Sequence, residues 1–257
     1  MQRGYIFDLD GTIYLGNKEI PGAAKTIRTL RERGDRVLFM SNNPLFTRLD
    51  FKRKLAALSM DVKVDEIYNS NYILARHLKN RLASTDRVFV IGEAPLYEEL
   101  QNANIPLTFQ AIEATIVVVS WDRDFTYKKL KQAYLAYRNG ATFIATNPDR
   151  TCPIEGGAIP DCGAIIGAIE GATGEKITEI AGKPSRITTT VIQGAVGLPA
   201  TSCYMIGDRL ETDIKMANDA NWHSVLVLTG VTTTEMLEKS LIVPKTTLQS
   251  VRELVDI

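Results

Sequence analysis

Two aspartates one residue apart, Asp8 and Asp10, end the short apolar run Tyr5-Ile6-Phe7, and Gly11 follows them directly. An apolar run this short, closed by a turn-forming residue, reads as a buried strand that delivers acids to its tip. Side chains at i and i+2 of a strand share a face, so both carboxylates are expected on one side. Like charges at that spacing repel, and one of the pair would be driven toward protonation unless a cation or phosphate-facing donors stood beside it. The pattern asks for a metal. Compatible groups recur downstream: Ser41 closes the apolar run 37–40, Lys183 sits in Gly182-Lys183-Pro184, and Asp208 and Asp213 follow Tyr204-Met205-Ile206. Carboxylates from the tips of two strands can converge on one hard cation, and oxygen ligands of this kind suit Mg²⁺. A lysine and a hydroxyl supply phosphate contacts. An ionised Asp8 can attack phosphorus, while Asp10 can protonate the leaving oxygen and later deprotonate a water. Catalysis would then rest mainly on positioning and charge neutralisation.

Such groups need a scaffold that gathers strand tips. After the first run, residues 13–20 read as a hairpin turning at Gly16-Asn17. Pro21-Gly22 opens a helix with Ala23, Ile27 and Leu30 at helical spacing, and Gly34 closes it. The run 37–40 completes a βαβ unit, and parallel sheets place working groups at strand C-termini, so Ser41 belongs near Asp8 and Asp10. Thr47 with Asp50 suggests a capped helix carrying Leu55 and Leu58. Residues 67–68 read as a third short strand, and a helix follows it through Arg81. The pattern restarts at Arg87, with strands at 88–91, 115–119 and 142–145 and helices around 96–100 and 127–138. A long polar loop, 146–161, precedes a small-residue helix at 163–169. The helix 186–196 leads to the run 204–206, then come a further helix, the strand 225–228, and a terminal helix holding Leu248, Val251 and Leu254. The alternation predicts an α/β fold, a doubly wound parallel-sheet core whose two halves are separated in sequence. Ser41 and Lys183 stand 142 positions apart, whereas one βα unit takes about 30 residues. The surplus of roughly 100 residues is a domain's worth. The expected organisation is a core of 1–80 and 180–257 with an inserted α/β cap domain at 81–179.

Bulk properties bound the function. At 257 residues, with 45% hydrophobic and 23% charged residues, the composition is that of an ordinary globular chain. Lys+Arg and Asp+Glu both total 30, which argues against nucleic acid or an anionic membrane as partner. The three cysteines, Cys152, Cys162 and Cys203, form no CxxC pair and suggest reduced thiols in a cytoplasmic protein. Aspartates interrupt the first apolar run too early for a signal peptide, and no segment approaches the ~20 apolar residues of a membrane span.

Together, DLDGT at 8–12, SNN at 41–43, GKP at 182–184 and GDRLETD at 207–213 resemble the four motifs of the haloacid dehalogenase superfamily of phosphatases. The middle segment, GATFIATNPD at 140–149 with Gly156-Gly157, is similar to the NagD-like, p-nitrophenylphosphatase branch, whose large α/β cap lies between the second and third motifs. This resemblance spans essentially the whole chain. It implies that Asp8 is the nucleophile, becoming an aspartyl phosphate, and Asp10 the general acid and then base. It further implies that Mg²⁺ is held by the Asp8 and Asp208 carboxylates and the Asp10 main-chain carbonyl, with Asp213 supporting the metal or the lysine. Ser41 and Lys183 would hold the phosphoryl group, with Gly11, Thr12 and Asn42 beside the substrate. The expected substrate is a small phosphomonoester: a sugar phosphate, glycerol phosphate, nucleoside monophosphate or aryl phosphate. A cap surface could mediate a homodimer. Pro44, Trp121 and Asp161 depart from the branch, at positions away from the chemical core.

Other classes fit less well. A receiver switch needs about half this length and does not carry its phosphorylated aspartate in a DxD on the first strand. Gly182-Lys183 is no P-loop, because Ile177 replaces its first glycine and Pro184 its Ser/Thr. A mutase or phosphotransferase sharing the aspartyl-phosphate step is the runner-up among enzymes. The motifs grip only groups common to every phosphomonoester, so choice of leaving group is expected from the cap loop 146–162, with Asn147, Asp149, Arg150, Glu155 and Asp161, and Asn147, Asp149 and Asp161 are its candidate substrate contacts.

Overall fold

A computed structural model describes residues 2–154 and 156–256, and the chain divides into two compact units. One comprises Met1–Ser41, Arg48–Tyr68 and Lys183–Ile257, the other Asn42–Thr47 and Asn69–Gly182.

The first unit is built on a six-stranded sheet ordered Thr246–Leu248, His223–Val227, Cys203–Gly207, Gly4–Asp8, Arg36–Ser41, Ile67–Asn69. Gly4–Asp8 pairs in parallel with both of its neighbours, Phe7 standing level with Ile206 on one side and Phe39 on the other. The chain winds outward from Gly4–Asp8 in one direction and, after the insert, from Cys203–Gly207 in the other. The reversal between these two strands is the switch point at which doubly wound sheets hold their ligands. Alternation along the first strand sends Tyr5 and Phe7 into a core shared with Phe39, Ile206 and Val225, and Ile27 and Leu30 of the helix Ala23–Glu32 cover it. The strands Tyr14–Leu15 and Lys18–Glu19 form the antiparallel hairpin expected around Gly16-Asn17. The terminal helix is corrected: Leu248 is in a strand, level with Val227, and Val251 and Leu254 bury in the 3₁₀ turn Val251–Asp256. Apolar residues three apart serve a 3₁₀ turn as well as an α-helix, so the spacing could not separate them.

The second unit carries a smaller parallel sheet of Val88–Ile91, Ile116–Val119 and Thr142–Ala145. Its core joins Ile91, Val117 and Val119 to Ala133 and Ala136 of one helix and Ile165 and Ile169 of another. The stretch anticipated as a loop after Thr146 contains an antiparallel hairpin, Thr151–Ile154 with Gly157–Pro160. Glu155 lies outside the described residues. The limits of the unit, 69 and 182, also differ from the expected 81 and 179. The helix Ser70–Arg81 packs on Ala94–Asn102, and its His77 and Arg81 both reach Glu179; counting residues between motifs could not reveal that pairing. The departures at Pro44 and Trp121 lie here too. The Pro44 carbonyl accepts from Asn71 Nδ2 at 2.8 Å, and Trp121 is buried in the unit's core.

The three cysteines are free. Burial pushes the Cys162 thiol up to about 12, which fits packing rather than reactivity. Among the described residues, no helix is long and apolar enough to cross a membrane.

Candidate active site

The chemistry-bearing residues of the first unit meet at the C-terminal edge of its sheet. Asp8 ends Gly4–Asp8 and stands level with Met40, one residue before Ser41 at the end of Arg36–Ser41. Asp208 follows the adjacent strand Cys203–Gly207, and Asp213 lies in the wide helical turn Leu210–Ile214. Oxygens of Asp8, Asp208 and Asp213 lie within 4.8 Å of one another, and all three residues are buried. Lys183, 2% exposed, joins two of them: its Nζ donates to Asp8 Oδ1 at 2.5 Å and to Asp213 Oδ1 at 2.6 Å. The other Asp213 oxygen accepts from the Arg209 N–H at 3.1 Å. Asp213 therefore holds the lysine and the turn after the strand. Gly207 allows this approach, because a Cβ there would lie 2.3 Å from Asp213 side-chain atoms.

One ammonium cannot neutralise three buried carboxylates. Burial opposes the charge on Lys183, but Asp213 and Asp8 outweigh it and hold the ammonium well above its ordinary range. Asp8 is itself pushed well above the usual carboxylate range, first by burial and then by Asp213 and Asp208, with Lys183 pulling the other way. Burial, followed by the charge on Asp213, raises Asp208 to about 6. A cation would relieve this excess. Asp208 also has an oxygen to give: Oδ2 accepts from the Val231 N–H at 2.6 Å, while Oδ1 is buried with no hydrogen-bond partner among the described residues. A buried, unpartnered carboxylate oxygen is rare in a folded protein, and all-oxygen donors suit Mg²⁺. The residues present fit the expected metal.

The Asp10 carboxylate is outside this buried cluster and opens onto solvent. Protein nevertheless crowds its remaining sides and raises its carboxyl above the ordinary range, against the pull of Lys54, Tyr14 and Arg209. Tyr14 Oη donates to Asp10 Oδ2 in a long contact of 3.3 Å, and Lys54 Nζ lies 3.7 Å from the centre of the Tyr14 ring. The sequence did not single out Tyr14 or Lys54, because nothing in their spacing ties them to Asp10. Gly11 and Thr12 shape the turn rather than presenting free amides: their N–H groups donate to the carbonyls of Tyr14 and Leu9, at 2.8 and 3.2 Å. The Thr12 hydroxyl is buried without a hydrogen-bond partner among the described residues.

The remaining candidates lie in the second unit. Asn42 Nδ2 donates to Asp149 Oδ2 at 2.8 Å. Asn147, fully buried, donates from Nδ2 to Asp149 Oδ2 and Asp161 Oδ1, both at 3.0 Å. Its Oδ1 accepts from the Thr146 hydroxyl at 2.8 Å. Asp161 Oδ1 also accepts from Cys162 N at 2.5 Å and caps the helix Cys162–Thr173. The reading of Asn147 and Asp161 as substrate contacts is thus revised: Asn147 uses both amide protons and its carbonyl within the unit, and Asp161 is 5% exposed.

A reversed parallel sheet with buried acids and a lysine at its switch point can hold a hard cation and an anionic group side by side. Residues 5–106 match the model of the haloacid dehalogenase-like hydrolases, and residues 180–254 match that of the HAD-hydrolase-like family. The chain is 36% identical over 250 residues to the sugar-phosphatase AraL of Bacillus subtilis, an alignment covering 97% of this chain and 91% of that protein. Its structure matches a 4-nitrophenylphosphatase from Thermotoga maritima with a TM-score of 0.94 at 36% identity, covering 100% of this chain and 97% of the other. It also matches a glycerol phosphate phosphatase of Mycobacterium tuberculosis in complex with magnesium, with a TM-score of 0.90 at 28% identity, over 98% of this chain and 77% of the other. The chain belongs to the haloacid dehalogenase-like hydrolases. Within them it is a NagD-like phosphatase.

Proposed function

We propose that this phosphatase hydrolyses a small phosphomonoester, with a sugar or polyol phosphate as the favoured class, through a phosphoryl group carried transiently on Asp8. The observation that carries the reading is the placement of Lys183 Nζ between Asp8 and Asp213, at 2.5 and 2.6 Å, beside the unpartnered oxygen of Asp208. Asp8, Asp208 and the Asp10 main-chain carbonyl are the groups to hold Mg²⁺, which when bound supplies positive charge to offset the substrate's anionic oxygens. Lys183, together with the cation that would sit beside it, favours the ionised form of Asp8, and it adds charge where the phosphoryl group must sit. A carboxylate oxygen of Asp8 attacks phosphorus, and the bond to the leaving oxygen breaks as Asp10 passes it a proton. Asp10, now a carboxylate, takes a proton from the water that attacks the same phosphorus, which returns Asp8 free and releases phosphate. Ser41, at the end of the strand beside Asp8, is placed to bind the transferring group. The substrate class rests on the names of similar proteins, a sugar-phosphatase and a glycerol phosphate phosphatase. A 4-nitrophenyl ester would serve as an activated analogue.

Asp8→Asn should eliminate turnover, because an amide is no comparable nucleophile, and chelation should abolish the wild-type activity with Mg²⁺ restoring it. Mass spectrometry of a rapidly quenched reaction should find phosphate on Asp8. Phosphate on Asp10 or Ser41, or full activity in excess chelator, would defeat the assignment.

A further inference from the structure

We propose that the loop 228–232, which leaves the end of strand His223–Val227, sets two of the three donors of the cation site, Asp208 and the Asp10 carbonyl, and that Thr229 and Gly230 are positioning residues for cation binding. The inference rests on the metal reading above and extends it to residues outside the four motifs.

The loop touches the site at two places. The Val231 N–H donates to Asp208 Oδ2 at 2.6 Å, and the Thr232 N–H donates to the Asp208 main-chain oxygen at 3.1 Å. The residue is thus gripped at side chain and backbone together. With Oδ2 engaged, the carboxylate cannot rotate freely, and Oδ1 is the oxygen left over, buried and without a hydrogen-bond partner among the described residues. The second contact is on the turn after the first strand. Thr229 Oγ1 donates to the Gly11 carbonyl at 2.6 Å, which pins the turn whose preceding peptide carries the Asp10 carbonyl. One loop thereby fixes the orientation of two of the three donors.

The packing leaves no latitude in this loop. A Cβ on Gly230 would lie 2.0 Å from Asp208 Oδ2, and one on Gly11 2.5 Å from the same oxygen and 3.0 Å from the Gly230 Cα. Gly11 also holds φ at +87°, a left-handed conformation that a side chain disfavours. Two glycine backbones therefore close on one carboxylate, which is how a protein fixes a metal-binding group with few atoms. Residues that orient a ligand in this way typically contribute 10- to 100-fold to metal affinity.

The test measures Mg²⁺ binding to the full chain without substrate, by titration calorimetry, together with the Mg²⁺ concentration that half-saturates phosphatase activity. Thr229→Val keeps the side-chain volume and removes the hydroxyl; it should weaken Mg²⁺ binding about tenfold, and Thr229→Ser should restore it. Gly230→Ala should weaken binding further, and Thr229→Val carries the test whatever Gly230→Ala does to folding. Mg²⁺ affinity within twofold of wild type in Thr229→Val would overturn the inference. Asp208→Asn, measured in parallel, separates the two levels. If Asp208→Asn loses binding and Thr229→Val does not, only the role of the loop fails; if Asp208→Asn binds Mg²⁺ as wild type does, the metal reading fails and the inference with it.

Discussion

Asp8 and Asp10 are two residues apart and share a side-chain type, yet their surroundings suit them to different tasks. Asp8 is buried against Lys183, the setting that the proposed mechanism asks of its nucleophile; Asp10 faces solvent with Tyr14 donating to one of its oxygens. Two carboxylates whose environments differ in this way are a recurrent means of separating nucleophile from acid. Tyr14 is fully buried, and burial, followed by the charges of Asp10 and Asp8, pushes its phenol well above the ordinary range. It therefore acts only as a donor to Asp10. Lys54, packed on its ring, adds positive charge on the same side. If Tyr14 aims the acid, Tyr14→Phe should lower kcat about tenfold for an alkyl phosphate, whose leaving group needs the proton, part of the 10²–10⁴-fold that a placed acid contributes. An activated aryl phosphate should lose little. Equal losses on the two substrates, in assays run side by side, would show that Tyr14 serves the fold alone.

At the scale of elements, the cap stretch after Thr146 behaves as a built scaffold. Asp161 caps the helix Cys162–Thr173 and receives Asn147, which also holds Asp149. Removing Asp161 takes away a helix cap, about 1 kcal/mol, and strands a buried amide proton of Asn147, about 1–3 kcal/mol more. Asp161→Ala should accordingly lower stability by roughly 2–4 kcal/mol in urea denaturation. Its kcat/KM should fall by a common factor across a panel of phosphates. A changed ranking among substrates, with stability intact, would instead return Asp161 to the role of substrate contact.

For the whole molecule, the acid cluster links stability to pH and cation. Asp208 has its carboxyl raised to about 6, against about 3.9 in an unfolded chain. A raised carboxyl favours the folded state while it is protonated. That contribution is complete below about pH 4 and is lost as pH rises through about 6, at most about 3 kcal/mol for a shift of this size. Under the proposed metal reading, Mg²⁺ would compete with the proton and replace the lost stabilisation. The rise in Tm on adding Mg²⁺ should therefore be larger at pH 8 than at pH 5. An increment independent of pH would contradict the linkage.

The sequence by itself determined the parts that depend on local pattern and on residue type. Apolar runs ending in acids, the restart of βα alternation after the insert and the four separated motifs are legible because strand and helix periods, and the hard-oxygen chemistry of carboxylates, are written into neighbouring residues. What the tertiary structure alone decided depends on contacts between distant segments. Leu248 became a strand residue because Val227 was beside it. Helix Ser70–Arg81 joined the second unit through Glu179. Asn147 and Asp161 turned inward because each completed the other's hydrogen bonds. Thr229, Gly230 and Val231 came to Asp208 and Gly11 only because parallel strands place their C-terminal loops along one sheet edge. That rule could have pointed to the loop after 225–228, but only folding shows which N–H meets which oxygen.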